Sequence, residues 1–135
     1  MRQSNKTVGN GFERELCTYL SENGFWAHCM AQNKQGQPFD VVASRNSKPY
    51  VIDAKVCSED MFRLDRVEEN QYSAMRLWRK LGNGDGWFAL KMPDETVFMI
   101  SLTDIEKAVV TKKTMYRADI EEVGLKLREW VLRCP

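Results

Sequence analysis

The amino-acid sequence predicts an α/β or α+β domain in which a five-stranded sheet is flanked by helices. Three observations predict it: helical apolar spacing near the N-terminus and again after residue 67, two apolar runs joined by a short polar turn, and a second pair of such runs beyond residue 86. The element order is therefore helix, three strands, helix, two strands and terminal helices. That order is typical of a sheet covered by helices.

Composition limits the classes of function. A length of 135 residues with 43% hydrophobic residues fits a single domain spanning 1–135, with a polar, basic arm over 1–8 that we expect to be flexible. The net charge of +1 is not that of a protein that coats nucleic acid, although local basic clusters can still form a binding surface. Four scattered cysteines and one histidine give little support to a zinc site or a disulfide framework. With no membrane-length apolar run and no leader, we expect an intracellular, soluble protein with reduced thiols.

The first predicted helix begins after Asn10 as N-cap and ends at Asn23–Gly24. Its apolar face carries Phe12, Leu16, Tyr19 and Leu20. At helical spacing Glu13 falls at the edge of this face, whereas Arg14 points away from it. A carboxylate turned toward a core needs a partner or a metal, because burying an unpaired charge is very costly.

The central prediction is a β-hairpin formed by residues 38–43 and 51–56. A turn of even length centred between Asn46 and Ser47 places Asp40 directly opposite Asp53. Like charges so paired are destabilising, which calls for a neutralising group such as a divalent cation. Strand alternation puts Lys55 on the same face as Asp53.

The other elements follow from periodicity and turn residues. The predicted strands are 25–30, 87–92 and 97–102, and 58–65 is a polar connection. A second helix over 67–81 has the apolar stripe Val67, Ala74, Met75, Trp78 and Leu81, with Gln71 inside it. Thr103–Asp104 caps a short helix through Val110, and Asp119–Leu132 forms the last helix.

Glu13, Asp40, Asp53 and Lys55 together supply three acids and one amine. Such a set can hold Mg²⁺, which activates water and stabilises charge in phosphodiester hydrolysis. The backbone carbonyl of Ala54 is a candidate extra ligand. Acyl transfer is disfavoured, because no Ser/His/Asp or Cys/His arrangement can be built around one histidine.

Asp40 followed at a distance by Asp53-Ala54-Lys55 resembles the PD-(D/E)xK nuclease superfamily. Gly11-Phe12-Glu13-Arg14-Glu15-Leu16 is similar to the first helix of Holliday-junction resolvases, and Asn70-Gln71 resembles their bacterial and phage branch. The resemblance covers about residues 9–102. It departs from many members in having Asp53 where they have Glu.

The resemblance implies a restriction-endonuclease-like core with a mixed five-stranded sheet. It further implies Glu13, Asp40 and Asp53 as ligands of Mg²⁺, for which Mn²⁺ can substitute, with Lys55 as the catalytic lysine and Gln71 as a supporting residue. The implied protein is a homodimer that cuts branched DNA symmetrically, in the cytoplasm of a bacterial cell or a phage-infected host.

Two alternatives stay open beside a junction-resolving endonuclease. One is a nuclease of the same fold that acts on linear or single-stranded DNA. The other is a DNA-binding module that does not cut. Candidate DNA contacts are Arg14, Lys34, Lys112, Lys113 and Arg117, of which Arg14 fits a solvated helix residue better.

Overall fold

A computed structural model of the chain describes residues 5–30 and 37–134. The helices are α1 (Asn5–Glu22), α2 (Glu69–Trp78), α3 (Leu102–Thr111), α4 (Arg117–Val123) and α5 (Leu127–Arg133), with a 3₁₀ turn at Leu64–Arg66 and a π-helical segment at Arg79–Asn83. The strands are β1 (Trp26–Cys29), β2 (Val41–Arg45), β3 (Lys48–Val56), β4 (Met61–Arg63), β5 (Trp87–Lys91), β6 (Val97–Ser101), β7 (Thr114–Tyr116) and β8 (Leu125–Lys126).

The main sheet has six strands in the order β1-β2-β3-β5-β6-β8. The β3–β5 pair is parallel and the other pairs are antiparallel, so the sheet is mixed. The five predicted strands form its first five positions, and the α/β class is confirmed. The prediction missed β8 at one edge and the separate two-stranded sheet β4–β7.

The hairpin at the centre of the sheet has the predicted register. Asn46 and Ser47 have φ of 54° and 64°, the left-handed pair of a two-residue type I′ turn. The ladder runs from Arg45 opposite Lys48 to Val41 opposite Ile52. Continued by one residue, this register brings Asp40 beside Asp53, on the strand that lies at the centre of the sheet.

Apolar side chains fill both faces of the main sheet. One core packs α1 and α5 on the sheet and includes Leu16, Ile52 and the fully buried Trp130. The other lies under α2, α3 and α4 and includes Met75 and Phe88. No helix among the described residues has the length and apolar character needed to cross a membrane.

Helix α1 begins at Asn5, well before the predicted cap Asn10. Residues 5–8 of the expected flexible arm are therefore helical, and residues 1–4 lie outside the described residues. Once a helix has nucleated, each added residue gains a hydrogen bond, and one glycine costs only about 1 kcal/mol. The predicted end is confirmed, since Gly24 has a φ of 88°.

Helix α2 is shorter than predicted, and Leu81 is not in its apolar stripe. Beyond Trp78 the α-helix widens to the π-helical segment, which changes the angular spacing of side chains, and Leu81 is 70% exposed. The segment expected to be a polar connection, 58–65, contains β4, because the buried Phe62 anchors it in the core. The cap of α3 is Ser101, whose Oγ accepts the N–H of Asp104 at 3.2 Å.

The last predicted helix, Asp119–Leu132, is divided into α4, β8 and α5. Gly124 is the reason. Its backbone is extended, with φ −89° and ψ 158°, and it ends α4. A Cβ at this position would lie 2.7 Å from the backbone oxygen of Ile120. Helical spacing continues on both sides of Gly124, which is why periodicity alone predicted one helix.

We expect Gly124→Ala to lower the free energy of unfolding by about 1–3 kcal/mol, because overpacking against backbone cannot be relieved by a rotamer change. Urea denaturation of the variant and the parent protein measures this difference in the free energy of unfolding. Gly11→Ala is the matched control, since a Cβ at Gly11 meets nothing within 4 Å. In the helix that change should stabilise by about 0.5–1 kcal/mol. Effects of the same sign at both positions would contradict this account of Gly124.

Candidate active site

The buried polar side chains mark one place in the molecule. Among the residues whose side chains the structure describes, the buried polar or charged ones are Glu13, Asp53 and Gln71. All three were singled out from the sequence. Asp53 lies on the central strand β3 and is 1% exposed. Burial of this kind is maintained only where partners compensate for lost hydration.

Asp40 lies immediately before β2 and is fixed by two hydrogen bonds. Its Oδ2 accepts the backbone N–H of Ala54 at 2.8 Å, and its Oδ1 accepts Nε2 of Gln37 at 3.2 Å. Held in this way, Asp40 is within hydrogen-bonding reach of both Asp53 and Glu13. The opposed pair of carboxylates predicted for the hairpin is therefore present.

Asp53 is held from its other side by an amide and an ammonium group. Gln71 Nε2 donates to Asp53 Oδ1 at 3.1 Å, and Lys55 Nζ lies 3.3 Å from Asp53 Oδ2. Gln71 Oε1 accepts from Lys55 Nζ at 3.4 Å and from the backbone N–H of Glu68 at 3.0 Å. Gln71 thus caps the first turn of α2 and orients the acid at the same time.

Glu13 reaches the site from α1, on the opposite side of the sheet from α2. Its backbone carbonyl accepts the Sγ–H of Cys29 on β1 at 3.4 Å. The thiols of Cys29 and Cys17 are in turn 2.8 Å apart. These contacts fix the helix turn that carries Glu13 against the first strand.

The crowding of acids changes their ionisation. Burial, and then the charge and hydrogen bond of Asp40, raises the pKa of Glu13 from 4.5 to about 7. Burial is also the main reason that the pKa of Asp53 lies well above 3.8; Asp40 raises it further, and Lys55 opposes the rise. Acids with raised pKa values keep their protons to higher pH, so in the metal-free protein Glu13 is only partly ionised at neutral pH.

The chemistry of the three acids suits a hard divalent cation, although their side chains are not already arranged around one. The described residues contain no group of three or more His, Cys, Asp or Glu side chains already arranged around a metal ion. Instead, Asp40 lies between the other two acids and interacts with both Glu13 and Asp53. Yet all the candidate ligand atoms are oxygens, and within the described residues the buried Asp53 Oδ2 has the ion pair with Lys55 but no hydrogen bond of good geometry. Those are the ligands that Mg²⁺ prefers.

The candidate DNA contacts are dispersed. Arg14, Lys112 and Lys113 are exposed, the last two beside a surface pocket of about 400 Å³ after α3. Arg117 lies within 3.3 Å of the carboxylates of Asp60, Asp94 and Glu121. Those ion pairs leave Arg117 less available to phosphate. Lys34 lies outside the described residues.

Two site residues were missed from the sequence. Gln37 binds Asp40, and Glu68 contributes the backbone N–H that Gln71 accepts. Gln37 carries no periodic signal, because it lies in an irregular segment before the hairpin. Glu68 did have a sequence signal. A residue at a helix start that is followed three positions later by Gln forms a capping-box pattern.

A mixed sheet flanked by helices, with acids and a lysine on adjacent central strands, defines the class of restriction-endonuclease-like nucleases. The family model described as archaeal Holliday junction resolvase (Hjc) matches residues 4–134. The chain therefore belongs to the archaeal Holliday junction resolvase family, whose members are metal-dependent, structure-selective nucleases.

A solved structure has the same fold. Hjc of Archaeoglobus fulgidus, a Holliday junction resolvase from an archaeal hyperthermophile, superposes with a TM-score of 0.71 at 22% sequence identity, covering 91% of this chain and 99% of that chain. Comparison with curated proteins found no match. The prediction of a resolvase is confirmed at the level of the family, whereas the bacterial and phage branch indicated by Asn70-Gln71 is not supported.

We expect Glu13→Gln to raise the free energy of unfolding of the metal-free protein at pH 8 by roughly 1–3 kcal/mol. The folded protein holds the Glu13 proton up to about pH 7, whereas the unfolded chain releases it near 4.5. The contribution of Glu13 to the stability of the parent protein therefore falls as the pH rises between these values, and the variant lacks that contribution to the fall. Urea denaturation in EDTA at pH 4.5 and pH 8 measures the difference.

The control is Glu22→Gln, which changes an exposed carboxylate on the same helix. Its stability should follow the parent protein at both pH values. If Glu13→Gln gave the same gain at pH 4.5 as at pH 8, ionisation of Glu13 would not be its cause.

Proposed function

We propose that this chain is a metal-dependent endonuclease that resolves four-way DNA junctions by phosphodiester hydrolysis. One observation carries the proposal: the buried polar side chains of the described part of the chain, Glu13, Asp53 and Gln71, belong to the constellation that the sequence predicts for such an enzyme. A cluster retained in a core against its desolvation cost is a functional-site candidate. Membership of the resolvase family supports the choice of substrate.

We assign Glu13, Asp40 and Asp53 as the carboxylate ligands and the carbonyl of Ala54 as a further ligand. The metal is Mg²⁺, with Mn²⁺ able to replace it, because all donors are hard oxygens. Bound there, the ion would polarise a phosphoryl oxygen and lower the pKa of a coordinated water. The hydrogen bonds from Ala54 and Gln37 to Asp40 keep that carboxylate aimed at the other two.

Lys55 and Gln71 complete the site. The ammonium of Lys55, 3.3 Å from Asp53 Oδ2, is placed to orient the attacking water and to offset charge that develops on the phosphate. Gln71 orients the Asp53 carboxylate from the first turn of α2. We therefore regard Lys55 as catalytic and Gln71 as a positioning residue.

A four-way junction must be cut in two strands, so we propose that the active form is a homodimer with two sites. Lys112 and Lys113 are the better candidates for phosphate contacts, since both are exposed. Action on linear duplex or single strands remains the principal alternative, and a module that binds DNA without cutting it is the second.

We also propose that the protein acts in the cytoplasm. Cys17, Cys29, Cys57 and Cys134 are all free, which suits a reducing compartment that contains DNA. The family match gives no support to a bacterial or phage host.

We expect Asp53→Asn to reduce junction cleavage more than about 100-fold, because loss of a ligand should exceed the 10–100-fold typical of changes around a metal site. The assay uses labelled four-way junction, linear duplex and single strand, each in Mg²⁺ and in EDTA. Junction binding should persist, since asparagine keeps the shape of the side chain.

Asp65→Asn provides the control, because Asp65 is an exposed carboxylate that pairs with the exposed Arg63. It should cut like the parent protein. No cleavage of any substrate in Mg²⁺ would reject both enzyme hypotheses, and duplex cut as readily as junction would reject the resolvase assignment.

Gln71→Ala should lower junction cleavage about 10–100-fold and raise the Mg²⁺ concentration needed for half-maximal rate, since it releases Asp53. It also removes a helix cap worth about 1 kcal/mol. Glu68→Ala separates the two effects, because it weakens the same cap but leaves the contact from Gln71 to Asp53 intact. Equal losses of rate in both variants would mean that Gln71 acts only through helix stability.

A further inference from the structure

Strand β1 presents two aromatic rings to solvent. Trp26 is 63% exposed and His28 is also exposed. Their ring centroids are 6.0 Å apart and their planes differ by 15°, so the rings lie nearly parallel and offset. In an offset parallel pair the outer ring faces are left for a further planar ring to stack on. β1 is an edge strand of the main sheet, and no further strand of the described residues pairs with its outer side.

The two rings lie on the same face of the sheet as the proposed catalytic groups. Ala27 and Cys29 pack against the core under α1 and α5. By strand alternation Trp26 and His28 point to the opposite face. Asp53 is on that opposite face too, since its neighbour on β5, Phe88, belongs to the core under α2.

The strand register gives the distance between the ring pair and Asp53. His28 is opposite Val42 on β2, and Val42 is opposite Val51 on β3, two residues before Asp53. Two strand spacings across and two residues along place the α-carbons of His28 and Asp53 about 12 Å apart. At about 3.4 Å of duplex axis for each nucleotide of a strand, that distance corresponds to about three or four nucleotides.

Exposed aromatic faces in such a position bind bases by stacking. Every nucleobase has a π-face, and each base–aromatic stack contributes about 1–3 kcal/mol. Continuous duplex hides its base faces between neighbours, whereas the branch point of a junction interrupts the stack. A nucleobase is favoured over a protein partner, because the rings lie on the sheet face that also carries Asp53, which is assigned to a phosphodiester.

We propose that Trp26 and His28 form a stacking platform for a nucleobase at the branch point, a few nucleotides from the phosphate to be cut. The proposal rests on the proposed function, because it takes DNA as the molecule on this face. The platform recognises an unstacked base rather than a sequence, so it contributes to preference for junction over duplex.

The test compares Trp26→Ala with its parent, both carrying Asp53→Asn so that DNA is bound in Mg²⁺ without cutting. Fluorescence anisotropy gives Kd for a labelled four-way junction and for a duplex of the same arm sequence. We expect the junction Kd to rise about 5–100-fold and the duplex Kd to change less than about twofold. Trp26→Phe should retain most of the junction affinity.

Leu132→Ala is the matched control, because Leu132 is 80% exposed on α5, which packs on the opposite sheet face. It should leave both Kd values unchanged. A junction with 2-aminopurine at the branch point reports stacking directly, since its fluorescence should change on binding the parent and not on binding Trp26→Ala.

Unchanged junction affinity in Trp26→Ala would overturn the platform, as would equal losses for junction and duplex. A change of oligomeric state in light scattering, without a change in DNA affinity, would identify the surface as a protein contact instead.

If the protein without Asp53→Asn cuts junctions while Trp26→Ala binds them normally, the platform fails and the proposed function stands. If no DNA is cut but 2-aminopurine still reports a Trp26-dependent stack, the platform stands and the nuclease fails.

Discussion

The burial of the Asp53 carboxylate is the constraint on which the rest of the site depends. An acid that is 1% exposed at the centre of a sheet cannot be stabilised by solvent, so the fold must surround it with partners. Gln71 and Lys55 provide them. Because Gln71 also caps α2, the position of that helix and the orientation of the acid are set by one amide. Loss of the Gln71 side chain therefore affects both the first turn of α2 and the site.

The site joins the two sides of the molecule. α1 supplies Glu13 from one face of the sheet, α2 supplies Gln71 from the other, and Asp40 lies where the hairpin strand β2 begins. Burial, and then the neighbouring charge of Asp40, disfavours the ionised form of Glu13 and raises its pKa. The arrangement costs stability in the metal-free protein. Strain of this kind persists where the surrounding structure holds it and where function requires it.

The sequence predicted the parts of this arrangement that depend on local rules. The hairpin register follows from an even turn and strand alternation, and inward placement of Glu13 and Gln71 follows from helical spacing. The errors occurred where tertiary context competes with local pattern. Periodicity continues across Gly124, whose close approach to the Ile120 carbonyl divides the last helix. Contacts such as Gln37 with Asp40 arise in irregular backbone, for which spacing gives no rule.

The residues that cut DNA and the surfaces that select a branched substrate are different parts of the molecule. Three carboxylates and a lysine suit any phosphodiester, so they cannot by themselves distinguish a branch from a continuous duplex. Discrimination must come from surfaces beside them, where the shape of the DNA is read. On that sheet face, the Trp26–His28 ring pair lies on the edge strand β1, and Trp26 is 63% exposed. A duplex offers no unstacked base, so a ring pair at this distance favours DNA that is already interrupted.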